Sequence, residues 1–75
     1  MQRVYILIRA HAGKMWHVKS IVDEIEGIND VHVITGPYDL VADADLHSTQ
    51  SLKELLDKIH EIDGVISTET WIAIQ

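Results

Sequence analysis

The chain carries one short phrase twice. Ile25-Glu26-Gly27-Ile28 is echoed by Ile62-Asp63-Gly64-Val65, and each copy closes a stretch whose apolar residues recur at three- and four-residue spacing. A glycine placed just past such a stretch is a helix stop, so the echo predicts two helix-to-strand units in a chain of 75 residues. The remaining segments fit around that frame. Residues 4–8, Val-Tyr-Ile-Leu-Ile, are β-branched and aromatic, lie between Arg3 and the Ala12-Gly13 break, and predict a first strand apolar on both faces. Met15, Val18, Ile21, Val22 and Ile25 predict an amphipathic helix over 14–26 with Gly27 as its C-cap. Residues 31–35 predict a second strand. In the third, Leu40–Leu46, strict alternation puts Leu40, Ala42, Ala44 and Leu46 on one face and Val41, Asp43 and Asp45 on the other. Gly36-Pro37-Tyr38-Asp39 between these two strands is a strong turn signal and predicts an antiparallel hairpin. Leu52, Leu55, Leu56, Ile59 and Ile62 form the second helical stripe. Ser51 stands at capping-box spacing from Glu54, with Ser48 and Thr49 as alternative caps. Residues 65–74 predict a last strand, with Ile66, Thr68, Thr70, Ile72 and Ile74 on one face and Val65, Ser67, Glu69, Trp71 and Ala73 on the other.

The order β-α-β-β-α-β predicts an α+β, ferredoxin-like fold: one domain over residues 1–75, with two helices on one face of a four-stranded antiparallel sheet. If the helices cover Ile6, Ile8, Leu40 and Leu46, the opposite face still carries Leu7 and Val41. A domain this small buries only about 60% of its unfolded surface and commonly needs a further staple. With no cysteine in the chain, a disulfide is excluded. A twofold partner laying its own sheet over the open face is the economical solution, giving a dimeric α+β barrel. The net charge of −6, with Arg3, Arg9, Lys14, Lys19, Lys53 and Lys58 scattered among acids, argues against direct nucleic-acid binding. The apolar run at 4–8 is too short for a membrane span or a signal sequence, so a cytoplasmic protein is expected.

Catalytic and metal signatures are weak. His11, His17, His32, His47 and His60 fall one per element without a metal-ligand spacing. Asp43, Asp45 and His47 share a strand face, but alternating acids there are the usual pattern of a solvated or interfacial surface. No nucleophile elbow, P-loop or dinucleotide fingerprint is present, and the serines are accounted for by caps, helix faces and a strand. The expectation is therefore no enzyme, no cofactor and no metal. Two polar insertions stand out: the turn Gly36-Pro37-Tyr38-Asp39 and the sequence Thr68-Glu69-Thr70. An ordinary hairpin turn explains the first and β-propensity the second. If they converge, however, turn N–H groups, an aspartate and two hydroxyls suit the carboxylate and ammonium of a small zwitterion.

Val33-Ile34-Thr35-Gly36-Pro37-Tyr38-Asp39-Leu40-Val41 resembles the apolar strand, Gly-x-Tyr-Asp turn and following strand of the Lrp/AsnC, or feast/famine, transcription regulators. Gly64-Val65-Ile66-Ser67-Thr68-Glu69-Thr70-Trp71-Ile72 is similar to the same family's Gly-Val, Thr-x-Thr and apolar ending. The resemblance covers nearly the whole chain and is to the effector-binding RAM domain. It implies dimers formed through the sheets, octamer-like rings of dimers, and amino-acid effectors held in clefts between dimers. It also implies a ligand-binding set of Gly36, Pro37, Tyr38, Asp39, Thr68 and Thr70, with Asp39 on the ligand ammonium and backbone near Gly36 on its carboxylate. Family members usually begin with a helix-turn-helix domain, whereas residue 1 here already stands at the first strand. The expectation is a stand-alone RAM module that regulates transcription indirectly, by ligand-linked assembly or by co-assembly with full-length relatives. The alternative is a small dimeric α+β-barrel enzyme of the oxygenase or isomerase type, which needs a His- or Asp-lined pocket between sheet and helices.

Overall fold

A computed structural model of the chain describes residues 2–74. The elements are β1 (Gln2–Ala10), α1 (Met15–Val22), β2 (Ile28–Val33), β3 (Leu40–Leu46), α2 (Thr49–His60) and β4 (Val65–Ile72). They form one four-stranded sheet in the order β2-β3-β1-β4, with every neighbouring pair antiparallel. This is the α+β, ferredoxin-like arrangement predicted above. Alternation along β1 and β3 sets the register: Val4 lies opposite Ala44, Ile6 opposite Ala42 and Ile8 opposite Leu40. All six are at most 1% exposed. They meet Val18 and Val22 of α1 and Leu55 and Ile59 of α2 in a single apolar core. α1 lies nearest β2 and β3, and α2 nearest β4 and β3. No helix among the described residues is long and apolar enough to cross a membrane.

Several boundaries differ from the sequence reading, each for a local reason. β1 extends two residues beyond the apolar run at either end, because both of its edges are paired. β2 starts at Ile28, immediately after Gly27, and closes at Val33. α1 stops at Val22 instead of running to residue 26. After Asp23 N–H bonds Lys19 O, the spacing tightens: Glu24 donates to Ile21 O and Ile25 to Val22 O, the three-residue step of a 3₁₀ turn. Ile21, counted above in the apolar stripe, is left 37% exposed. The α2 cap is Ser48, whose Oγ accepts from Ser51 N–H at 3.1 Å, so Ser51 lies inside the helix. β4 ends at Ile72.

The repeated phrase proves to be a repeated turn. Ile28 N–H bonds Ile25 O, and Val65 N–H bonds Ile62 O, both at 3.2 Å. Gly27 and Gly64 have φ of +99° and +106°, a region open to glycine and strained for side chains. Each turn feeds an edge strand, β2 at one side of the sheet and β4 at the other.

Candidate functional site

The 36–39 turn sits where β1 outruns its partner. Pairing of β1 with β3 ends at Ile8 opposite Leu40, and a register shift between Arg9 and Ala10 disturbs the other edge. The Asp39 carboxylate fills the gap. Its Oδ2 accepts from Ala10 N–H at 2.8 Å, Asp39 N–H donates to Ile8 O at 2.9 Å, and Asp39 O accepts from Ile34 N–H at 2.9 Å. A buried or half-buried N–H without a partner is costly, so this aspartate holds the turn as well as offering charge. Gly36, at φ +130°, lets the chain reverse, and nothing lies within 4 Å of where its Cβ would stand.

A second set of contacts holds the turn down on the face away from the helices. Arg9 Nη2 donates to Pro37 O at 2.9 Å, and its guanidinium carbon lies 5.6 Å from the centre of the Tyr38 ring, in cation–π range. The Tyr38 hydroxyl reaches across β1 and donates to Glu69 Oε1 on β4 at 2.8 Å. Trp71 Nε1–H donates to the other oxygen, Glu69 Oε2. These bonds, that of Trp71 first and that of Tyr38 second, hold the Glu69 carboxyl below its ordinary range; reciprocally, the bond to Glu69 pushes the Tyr38 phenol up. Further along the same face, Arg3 Nε pairs with Asp45 Oδ1 at 3.2 Å and Asp43 Oδ1 at 3.4 Å. The extra residue of a bulge in β2, Asn29, donates to Asp45 Oδ2 at 3.0 Å.

The six residues singled out above are brought together only in part. Gly36, Pro37, Tyr38 and Asp39 form one turn. Thr68 and Thr70 lie opposite Ile8 and Ile6, so their side chains share the helix-covered face, and Thr68 Oγ1 is 2.8 Å from His60 Nε2 at the end of α2. It is Glu69, between the two threonines, that meets the turn. Three open clefts, of about 270, 290 and 360 Å³, lie along α2 and at the far end of the sheet, and none of them is lined by any of the six residues. The first does include Asp45, His47 and Glu54. Among the described residues no group of three His, Asp or Glu side chains is placed to hold a metal ion.

Comparison with known proteins identifies this frame. Residues 3–75 match the model of the Lrp/AsnC ligand binding domain. The chain belongs to the Lrp/AsnC family. The HTH-type transcriptional regulator FL11 of Pyrococcus abyssi is 37% identical to it over 71 residues, covering 95% of this chain and 47% of the regulator. This Lrp/AsnC domain thus spans about half the length of the curated relatives it matches. The crystal structure of TTHA0845 from Thermus thermophilus superposes with a TM-score of 0.95 at 30% identity, covering all of this chain and 95% of that one. A feast or famine regulatory protein from M. tuberculosis, complexed with L-methionine, shares the fold with a TM-score of 0.85 at 17% identity, over 100% of this chain and 51% of that one.

Arg9, Glu69 and Trp71 were not among the expected site residues. Glu69 was visible only as the acid between two threonines, and Arg9 only as the end of an apolar run. Alternation along the last strand already puts Glu69 and Trp71 on one face, but the link from Arg9 to Glu69 depends on Tyr38 reaching over β1, which no local pattern encodes.

Proposed function

We propose that this Lrp/AsnC domain is an amino-acid effector-binding and oligomerisation module. Its effector site is centred on Gly36, Pro37, Tyr38 and Asp39, with Thr68 and Thr70 contributing from a strand edge. The observation that carries the reading is the hydrogen-bonded 36–39 turn. Its backbone is tied down by bonds to Ile8, Ala10 and Ile34, and Asp39 Oδ1 is left to receive an ammonium group. In one protomer the threonines and the turn address different faces of the sheet, so the site is completed by a second copy. The open sheet face supports the same assembly: Tyr5 and Trp71 are 36% and 56% exposed on it, flanking Leu7. A homodimer closes that face, and dimers assemble further into an octamer-like ring.

A ligand that bridges copies stabilises the assembly it prefers, so effector binding and oligomeric state are linked. The module is non-catalytic, acts in the cytoplasm and works indirectly, by ligand-linked assembly or co-assembly with full-length Lrp/AsnC regulators, without touching DNA. The match of residues 3–75 to one domain model supports a single domain over residues 1–75.

Calorimetric titration with each proteinogenic amino acid, L-methionine first because a family fold relative binds it, combined with light scattering, tests this. Saturable binding of a subset with a change in assembly is expected, and binding of none sinks the effector reading. Asp39→Asn then tests the site. The amide oxygen still accepts from Ala10 N–H while the charge is gone, so the fold is retained and affinity falls by roughly tenfold or more, the scale of a charge-assisted bond. Unchanged affinity in that variant would place the ligand elsewhere.

A further inference from the structure

Glu69 is an exposed acid on the edge strand β4, and both of its carboxylate oxygens are engaged within the chain. It lies opposite Leu7 on the open face, and Leu7 is only 9% exposed. Its carboxylate is shared between two neutral donors on different elements, the Tyr38 hydroxyl from the turn and the Trp71 indole two residues along β4. Arg9, the cation on this part of the face, is turned to Pro37 O and to the Tyr38 ring. One carboxylate therefore reports the position of the turn to an exposed aromatic on the sheet. Because the two oxygens share one delocalised charge, losing either donor strengthens the hydrogen bond to the other, which couples the two contacts.

We propose that Glu69 is a positioning residue that fixes the 36–39 turn through Tyr38 and transmits its displacement to Trp71 on the open sheet face. The proposal rests on the reading of that turn as the effector site. It adds the route by which occupancy of the turn reaches the surface on which a second copy would pack.

The test uses the full chain carrying Trp16→Phe. Trp16 is 68% exposed on α1, so its removal leaves Trp71 as the one indole at little cost to the core. The amide and indole N–H resonances are followed by NMR, with dispersion of the amide spectrum reporting the fold. Glu69→Ala is expected to move the Trp71 indole proton upfield as its acceptor is lost. Tyr38→Phe is expected to move it downfield, because the freed carboxylate then serves Trp71 alone. In the Glu69→Ala background Tyr38→Phe should move it no further. A Tyr38→Phe shift that is absent, or equal with and without Glu69, overturns the proposal. In parallel, L-methionine titration of Glu69→Ala should show affinity weaker by roughly 2- to 30-fold. Glu69→Gln, which can accept from Trp71 and donate to Tyr38, should recover most of it. Wild-type affinity in Glu69→Ala overturns the positioning role. If wild-type protein binds no amino acid, the effector reading fails, and the indole resonances alone decide whether Glu69 couples the turn to Trp71.

Discussion

The two faces of the sheet are made from alternate residues of the same strands, yet they are stabilised by different physics. The inner face presents Val4, Ile6, Ile8, Leu40, Ala42 and Ala44, all essentially buried, and no polar or charged side chain among the described residues is buried with them. The outer face presents Arg3 with Asp43 and Asp45, and Arg9 with Tyr38, Glu69 and Trp71, joined by hydrogen bonds and ion pairs at the surface. Apolar burial is non-directional and tolerates any partner of the right volume, whereas the outer contacts depend on donors meeting acceptors. The inner face thus specifies that the chain folds, and the outer face specifies which side chains pair across its surface. Neighbouring residues allow a direct comparison. Ile8→Ala should cost about 3–5 kcal/mol, enough to unfold much of a domain this small, because the cavity opens at the centre of the core. Leu7→Ala, one residue along, should cost less in dilute protein, and the difference should shrink as concentration rises if a second copy covers that face. Chemical denaturation at two protein concentrations measures both; equal costs at every concentration would break the distinction between the faces.

How far this was legible in the sequence follows the same division. Leu40–Leu46 shows its faces and both ends because alternation is local, and the structure places every residue of it as the pattern requires. α1 ends sooner than its apolar spacing predicts, since Ile25 keeps helical spacing in sequence while its N–H has already moved to a three-residue bond. Ser48, Thr49 and Ser51 were all acceptable caps by composition, and only the extended backbone at Ser48 decides among them. Asp39 was legible as a turn residue but not as the acceptor for Ala10, because that need arises from where β1 outruns β3. The Tyr38–Glu69 bond joins residues 31 positions apart in sequence across an intervening strand, and nothing periodic marks it.

The repeated turns allow a smaller effect to be read. Gly27 and Gly64 have nearly the same φ, so an alanine at either adopts a strained backbone. Their surroundings differ. A Cβ at Gly27 would meet only Leu46 Cδ2 at 3.7 Å, an ordinary contact, whereas one at Gly64 would stand 2.9 Å from Lys14 Cβ and 3.2 Å from Val18 Cγ2. Gly27→Ala should cost about 1–2 kcal/mol from backbone strain alone, and Gly64→Ala about 1–2 kcal/mol more, because α1 must shift to admit the methyl group. Thermal melts of the two variants side by side check the difference, and equal costs would show that α1 yields freely at Lys14.

The smallest expected effect belongs to the outer face and appears only in acid. Asp45 is held below its ordinary carboxyl range first by the hydrogen bond from Asn29 and then by that from Arg3, and Glu69 by the bonds from Trp71 and Tyr38. A carboxyl whose pKa is depressed on folding contributes stability that is fully present above its unfolded value, about 3.9 for Asp and 4.3 for Glu, and is lost as pH falls toward the folded value. Stability should therefore be flat from neutrality to about pH 5 and decline below it. Both groups lie at the solvent surface, where screening keeps such contributions small and salt-sensitive. Asp45→Asn and Glu69→Gln should each lessen the decline without altering the plateau's independence of pH, and added salt should do the same. Among the described residues the inner face has no carboxylate to protonate, so a decline that persisted unchanged in the double variant would have to come from acids outside both networks, such as Asp63 beside Lys14. That result would remove the acid response from the outer face and leave it with the turn alone.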